Sequence, residues 1–182
     1  FLPVSSSGHL LFAKGILDIK EIPIIFDIII HTASLLAILF FFRKKIIELI
    51  KNFFIEIKTK KNKIDGGIKT NVNFVFYAIL STIITSGLYF IFSDFIDSKF
   101  NNPSILPITF LVTSIIVFLT KFFDGNIKIG HKKIEMPILA GLAQFFAILP
   151  GISRSGSTIS SLKIMNVDKE DATFYSFILA IP

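Results

Sequence analysis

Three long apolar runs divide the chain, at residues 24–42, 74–92 and 105–123. Each run has 19 residues, so that, at about 1.5 Å per residue, each would cover about 28 Å as a helix. This length matches the hydrocarbon core of a lipid bilayer. The pattern therefore predicts three transmembrane helices.

Two further apolar stretches, residues 1–17 and 137–165, are interrupted by polar residues. Residues 5–8 interrupt the first stretch, and residues 150–156 interrupt the second. Non-helical backbone at membrane depth is tolerated only where it is buried in protein or lines a watery cavity. We therefore predict two re-entrant helical hairpins, with surface loops between interfacial helices as the alternative.

The two interrupting segments are similar to each other. Residues 2–9 read Leu-Pro-Val-Ser-Ser-Ser-Gly-His, and residues 149–156 read Leu-Pro-Gly-Ile-Ser-Arg-Ser-Gly. With one inserted residue, an offset of 148 aligns four polar or glycine pairs: Ser5 with Ser153, Ser6 with Arg154, Ser7 with Ser155, and Gly8 with Gly156. Buried polar sites of many membrane proteins form where two such repeats meet. We assign the first repeat to residues 1–42 and the second to residues 137–182, within one membrane domain.

The basic residues are concentrated between the apolar runs. Residues 43–73 hold nine Lys and Arg, whereas residues 93–104 hold only Lys99. The positive-inside rule places the first of these segments in the cytoplasm and the second outside. The helix at residues 24–42 then runs inward, and an apolar segment that begins near Thr173 runs outward. The two repeats are therefore predicted to be inverted in the membrane, in an all-α, polytopic fold.

Composition narrows the class of protein further. The chain is 52% hydrophobic, with 22 Phe, a net charge of +6 and no Cys. Without Cys, disulfides and cysteine-bound metals are excluded. The positive charge lies in segments between spans and not on a basic face, which argues against nucleic-acid binding. The basic stretch at residues 51–69 has an amphipathic start at residues 46–54 and is predicted to lie along the inner leaflet, with a solvated loop as the alternative for residues 58–72. Since the chain opens without Met and ends within an apolar run, we expect a fragment that lacks N- and C-terminal parts of the domain.

Arg154 is the residue that most strongly indicates a site. An arginine within an apolar hairpin is energetically costly and usually marks a functional position. Its planar guanidinium suits bidentate contact with phosphate or carboxylate. Neighbouring hydroxyls and glycines, and the free N–H groups of a helix that begins nearby, also favour an anion. An arginine that extends to the membrane interface is the alternative.

The first interrupting segment places hydroxyl groups beside an imidazole. His9 follows Ser6 by three residues. An imidazole there can act as general base, general acid or nucleophile, and a hydroxyl can act as nucleophile or donor. A histidine that merely satisfies a neighbouring helix is the alternative.

Residues 1–12 (FLPVSSSGHLLF) and 141–160 (GLAQFFAILPGISRSGSTIS) resemble the two signature regions of the undecaprenyl-diphosphate phosphatase, or bacitracin-resistance protein, family. The stretches FDIIIHTASLLAILFFFR and DKEDATFYSFILAIP also resemble this family. The similarity runs from residue 1 to residue 182.

The resemblance implies hydrolysis of undecaprenyl diphosphate to undecaprenyl phosphate and phosphate, which recycles the lipid carrier of cell-wall synthesis at the bacterial plasma membrane. The family's catalytic serine, histidine and arginine fall on Ser6, His9 and Arg154. The predicted substrate-binding residues flank them: Ser5, Ser7, Gly8, Ser153, Ser155, Gly156 and Thr158. A divalent cation, Mg²⁺ or Ca²⁺, is also implied. Its glutamate ligands would precede Phe1, so these residues alone should be inactive.

Other functions compete with hydrolysis. An inverted-repeat lipid transporter or flippase would use the same broken helices without chemistry. An acid-phosphatase-like lipid phosphatase would require a histidine six residues after the arginine, but Ser160 occupies that position. A purely structural membrane protein leaves Arg154 unexplained. The expected partners are a polyprenyl diphosphate lipid and the membrane, and a homodimer is compatible with them.

The predicted topology can be tested with single cysteines, because the chain has none of its own. We expect Asn62→Cys and Asn101→Cys to react with an impermeant thiol reagent from opposite sides of the membrane. Labelling of both positions from the same side would contradict the orientation and, with it, the inversion of the repeats.

Overall fold

The structure is a computed structural model, and it describes residues 4–17, 24–58, 70–100, 102–129 and 134–181. Within these ranges the regular structure is helical, apart from one isolated bridge between Ile127 and Val167. The helices are α1 Ser6–Ile16, α2 Ile24–Lys58, α3 Thr70–Phe100, α4 Leu106–Leu119, α5 Glu135–Phe146, α6 Arg154–Ile164 and α7 Lys169–Ile178. Short 3₁₀ turns, Pro103–Ile105 and Thr120–Phe122, extend α4 at both ends.

The three predicted spans fall on α2, α3 and α4. Two helical segments, residues 71–96 and 103–122, are long and apolar enough to cross a membrane by length and composition. Pro107 lies in the first turn of α4, where its missing N–H costs no helical hydrogen bond.

The first predicted span continues further than its hydropathy indicates. Helix α2 has 35 residues and runs 16 residues past the expected end at Phe42, which is about 24 Å of additional helix. Residues 46–54 continue α2 without a break, and their position along the inner leaflet stays a prediction. Charged residues such as Arg43 and Lys44 end an apolar run, but they are good helix formers. Residues 59–69, where most of the other predicted cytoplasmic lysines fall, lie outside the described ranges.

Large apolar side chains face outward along these helices. Phe41 of α2 is 75% exposed, and Phe90 and Ile91 of α3 are 79% and 74% exposed. Water-soluble monomers rarely expose continuous apolar surface of this kind. The outward surface is therefore typical of a protein whose helices face lipid.

The buried core lies where α3, α5, α6 and α7 meet. Tyr175 of α7 is fully buried and packs against the ring of Phe74, with the ring centroids 5.2 Å apart. The Ser81 hydroxyl donates to the Pro137 carbonyl at 2.8 Å and so accepts from the Tyr175 hydroxyl at 2.9 Å. This chain of hydrogen bonds joins three helices through their least accessible polar groups.

Small residues allow α3 and α5 to approach closely. The Thr85 hydroxyl on α3 donates to the Gly141 carbonyl on α5 at 3.0 Å. A Cβ atom added at Gly141 would lie 2.9 Å from the Ser81 carbonyl oxygen and 3.0 Å from the Ile84 Cβ. Close backbone approach with interhelical hydrogen bonds is a common way for helices to associate in membranes.

The second predicted hairpin is a helix–loop–helix of α5 and α6. The first predicted hairpin is described only from Val4 onward. One of its arms is α1, and residues 1–3 lie outside the described ranges. Helix α7 begins at Lys169, before the expected start near Thr173, because the Asp168 carboxylate accepts from the Glu170 and Asp171 N–H groups. A Lys45–Asp171 ion pair at 3.4 Å then connects α7 to α2.

We expect Gly141→Ala to lower the melting temperature of the purified protein, because an overpacked contact lowers the free energy of unfolding by about 1–3 kcal/mol. The matched control is Gly87→Ala, because a Cβ at Gly87 of α3 would meet nothing within 4 Å. The control should leave the melting temperature unchanged or raise it slightly, since alanine favours helix. Equal melting temperatures for the two variants would contradict the close packing of α3 on α5.

Candidate functional site

Ser5 caps the helix that carries the first polar segment. It is buried, has extended backbone, and its hydroxyl oxygen accepts from the Gly8 N–H at 3.2 Å. The hydroxyls of Ser5 and Ser7 also lie 3.1 Å apart. Capping satisfies an N–H group that has no partner inside the helix. The segment expected as a loop is thus the start of α1, because the serine cap begins the helix at Ser6.

The second polar segment has the same geometry 148 residues later. Ser153 is buried and extended, and its hydroxyl oxygen accepts from the Gly156 N–H at 3.1 Å. Its hydroxyl lies 3.4 Å from that of Ser155. Helix α6 therefore begins at Arg154, at the position that matches Ser6 in the sequence alignment.

The two helix starts lie against each other. A Cβ atom added at Gly8 would lie 2.7 Å from the Gly151 Cα and 2.9 Å from its nitrogen. Gly151 has a φ of +91°, a conformation that side-chain-bearing residues rarely adopt. Glycine at both positions allows two backbones to meet where any side chain would separate them.

One turn of α4 contacts both segments. The Thr113 hydroxyl donates to the Gly151 carbonyl at 2.9 Å, and its oxygen accepts from the Ser153 N–H at 3.1 Å. Phe110 lies against the Gly8 backbone, and its ring centroid is 5.1 Å from that of His9. Helix α4, which belongs to neither predicted repeat, therefore supports the contact between them.

Hydrogen bonding determines which nitrogen of His9 carries the proton in the neutral ring. Nδ1 lies 2.7 Å from the Ser5 carbonyl oxygen, which can only accept, so Nδ1–H is the donor. The lone pair of the neutral ring is then on Nε2, as a general base or nucleophile requires. His9 is exposed, so Nε2 has access to a ligand.

Ser6 and Arg154 occupy the first position of their helices and are both exposed. Within the described part of the chain, neither the Ser6 hydroxyl nor the Arg154 guanidinium makes a hydrogen bond or ion pair. A hydroxyl and a cation thus remain available beside two helix N-termini, whose N–H groups and dipoles favour negative charge.

The other predicted substrate-binding residues have mainly local partners. The Thr158 hydroxyl is buried and bonds the Arg154 carbonyl at 2.8 Å and the Ser176 hydroxyl at 2.5 Å. Gly8 and Gly156 are buried in helix contacts. Their proposed contacts with substrate remain predictions.

A cavity of about 650 Å³ lies on one side of α6. Ser155 and Gly156 line it, together with aromatic rings that include Phe42 and Phe177, but neither Ser6 nor His9 does. The cavity therefore adjoins the second segment only.

The described residues contain no group of three or more His, Cys, Asp or Glu side chains that could hold a metal ion. These ranges therefore offer no ligand set of this kind for the expected cation.

The sequence did not single out Phe110 or Thr113, nor Thr109, whose hydroxyl oxygen would collide with a Cβ atom added at Gly151. Threonines within an apolar run are ordinary, and their spacing of four residues along one helix face was the available signal.

The fold and the site together define a class of protein. Its described helices expose apolar faces, and they carry a polar site that contains an arginine. The family model described as Bacitracin resistance protein BacA matches residues 1–182. The chain belongs to this family.

Relatives from several organisms match the chain along its whole length. An undecaprenyl-diphosphatase of Methanobrevibacter smithii is 37% identical over 187 residues, which cover 100% of this chain and 67% of that protein. Undecaprenyl-diphosphatase 2 of Bacillus thuringiensis is 33% identical over 181 residues, covering 100% and 66%. The undecaprenyl-diphosphatase of Methanosphaera stadtmanae is 35% identical over 189 residues, covering 100% and 68%. The chain thus spans about two thirds of the length of these curated relatives.

We expect Gly8→Ala to separate the two helix starts, because the added methyl would collide with the Gly151 backbone. Amide hydrogen exchange of residues 147–156 should accelerate, since the turn loses its packing partner. Gly15→Ala, on the same helix but with nothing within 4 Å, is the matched control and should leave this exchange unchanged. Unaltered exchange in Gly8→Ala would show that the contact does not hold the turn in place.

Proposed function

We propose that the protein hydrolyses undecaprenyl diphosphate to undecaprenyl phosphate and inorganic phosphate. The contact between Gly8 and Gly151 carries the proposal, because it brings the helix start bearing Ser6 and His9 to the one bearing Arg154. Relatives over 30% identical along the whole chain are named undecaprenyl-diphosphatases, which supports the same activity.

Each residue has a role that suits phosphoryl transfer, in which positioning and electrostatics supply most of the catalysis. Arg154 would hold the diphosphate and stabilise the charge on the phosphoryl group in flight. His9 would use its Nε2 lone pair as base or nucleophile, and Ser6 would supply a hydroxyl as donor or nucleophile. Whichever group attacks the phosphorus, water supplies the oxygen that is added to the released phosphate. The bond that breaks joins the bridging oxygen to the terminal phosphorus.

The proposal includes the arrangement in a plasma membrane. Two inverted repeats with re-entrant hairpins would bring their tips together near the midplane, where polar backbone needs protein partners. The lipid tail would lie between helices, and the headgroup would enter from the outer face. A divalent cation, Mg²⁺ or Ca²⁺, belongs to the proposal on the family resemblance alone, with ligands upstream of Phe1.

A lipid transporter without hydrolysis is the second hypothesis, and it is not favoured. Transport of an anionic lipid needs Arg154, but it gives no role to a histidine whose Nε2 lone pair is kept free by an Nδ1–H bond to Ser5. Phosphate release from undecaprenyl diphosphate by the purified full-length protein separates the two hypotheses directly.

We expect Arg154→Lys to lower kcat by about 100-fold or more in the natural full-length protein, because lysine keeps the charge but loses the bidentate fork. Arg43→Lys is the matched control, since Arg43, the only other arginine, is exposed and donates to the Phe40 carbonyl of its own helix. The control should hydrolyse at the wild-type rate. Near-normal release of phosphate by Arg154→Lys would rule out the assigned role of the guanidinium.

A further inference from the structure

Thr113 makes a contact that differs from those of neighbouring hydroxyls in α4. Among the described residues, the Thr109 hydroxyl bonds only carbonyls one turn earlier along its own chain segment, those of Ile105 and Leu106. The Thr113 hydroxyl instead bonds two groups outside its helix. It donates to the Gly151 carbonyl and accepts from the Ser153 N–H. It therefore joins the residues on either side of Ile152 with a single oxygen atom.

The Gly151 carbonyl and the Ser153 N–H take no part in the backbone hydrogen bonds of a helix. Gly151 has left-handed backbone, and Ser153 is the extended residue before α6. Both residues are buried, so water is not available to them as a partner. Buried polar backbone groups must find protein partners, because leaving one unsatisfied is costly.

The contact acts directly on the residue before Arg154. Ser153 holds Gly156 through its hydroxyl, and its carbonyl accepts from the Ser157 N–H at 2.9 Å. Fixing the Ser153 N–H therefore fixes where α6 begins and from where the Arg154 side chain extends. On the opposite side of the same turn, Gly151 is in contact with Gly8.

We infer that Thr113 is a positioning residue, whose hydroxyl sets the place of Arg154 relative to the Ser6 and His9 segment. The inference rests on the proposed hydrolysis and assigns to α4 a part in it. Thr113 acts through Ser153 and Gly151 and does not itself contact substrate.

Kinetics of Thr113→Val, which is nearly isosteric but lacks the hydroxyl, test this role in the full-length protein. Displacing a catalytic group by about 1 Å lowers rates by about 100-fold, so we expect kcat to fall by about 10- to 100-fold with a smaller change in KM. Thr113→Ser keeps the hydroxyl and should restore most of the rate. The matched control is Thr82→Val, because within the described ranges the Thr82 hydroxyl bonds only the Ala78 carbonyl, which belongs to its own helix.

A double-mutant cycle separates positioning from general stability. If Thr113 acts through Arg154, Thr113→Val should lower kcat much less in the Arg154→Lys background than in the wild type. Additive effects of the two substitutions on kcat, or a wild-type kcat in Thr113→Val, would overturn the inference. The proposed function would still stand, because the wild-type protein is active in that case. An inactive wild-type protein would overturn the proposed function and the catalytic part of this inference together.

Amide exchange gives a readout that does not depend on activity. The Ser153 N–H should exchange faster in Thr113→Val and at the wild-type rate in Thr113→Ser, because only the serine retains the accepting oxygen. Should Thr113→Val fail to fold, Thr113→Cys takes its place, since a thiol is a weak hydrogen-bonding group of similar size. Unchanged Ser153 exchange in Thr113→Val, or in Thr113→Cys where it replaces Thr113→Val, would overturn the positioning role.

Discussion

The polar site depends on satisfying the backbone N–H groups at the starts of two short helices inside an apolar molecule. The first N–H groups of any helix lack partners in the helix itself. Water can supply them at a protein surface, but among lipid-facing helices each unsatisfied group would be costly. Ser5 and Ser153 meet this need from within the chain, since each hydroxyl accepts from the N–H three residues later. The polar residues of the site are thus held by helices that their own serines begin.

Close approach of backbone atoms is the second requirement, and glycine provides it. Gly8 and Gly151 touch where side chains would force the two segments apart, and Gly141 allows α5 to approach α3 in the same manner. The hydroxyls of Thr113 and Thr85 then bond glycine carbonyls that these contacts bring within reach. Packing and hydrogen bonding reinforce each other, because glycine leaves a carbonyl accessible and threonine is short enough to reach it.

Hydropathy and the internal repeat predicted much of this architecture from the sequence. The apolar runs indicated α3 and α4, and the repeated Ser-x-x-Gly pattern indicated that the two polar segments should meet. Helix α2 is longer than predicted, since Arg43 and Lys44 end the apolar run without ending the helix. The first segment, expected as a loop, begins α1 instead because Ser5 caps that helix, whereas the second is a loop up to Ser153, after which α6 begins. The partners of Thr113 were not predicted, because they lie 38 and 40 residues away in the sequence.

Differences between the two helix starts account for a site with chemical asymmetry. Both keep the capping serine and the glycine that it bonds, but the residue after the cap is Ser6 in one and Arg154 in the other. Both side chains are exposed and neither takes part in the serine–glycine cap, so the cap is kept while they differ. A diphosphate requires a cation to stabilise its charge and a separate group to attack or deliver a proton. Under the proposed hydrolysis, two identical segments would supply only one of these functions, whereas the divergence at the first helical position would supply both.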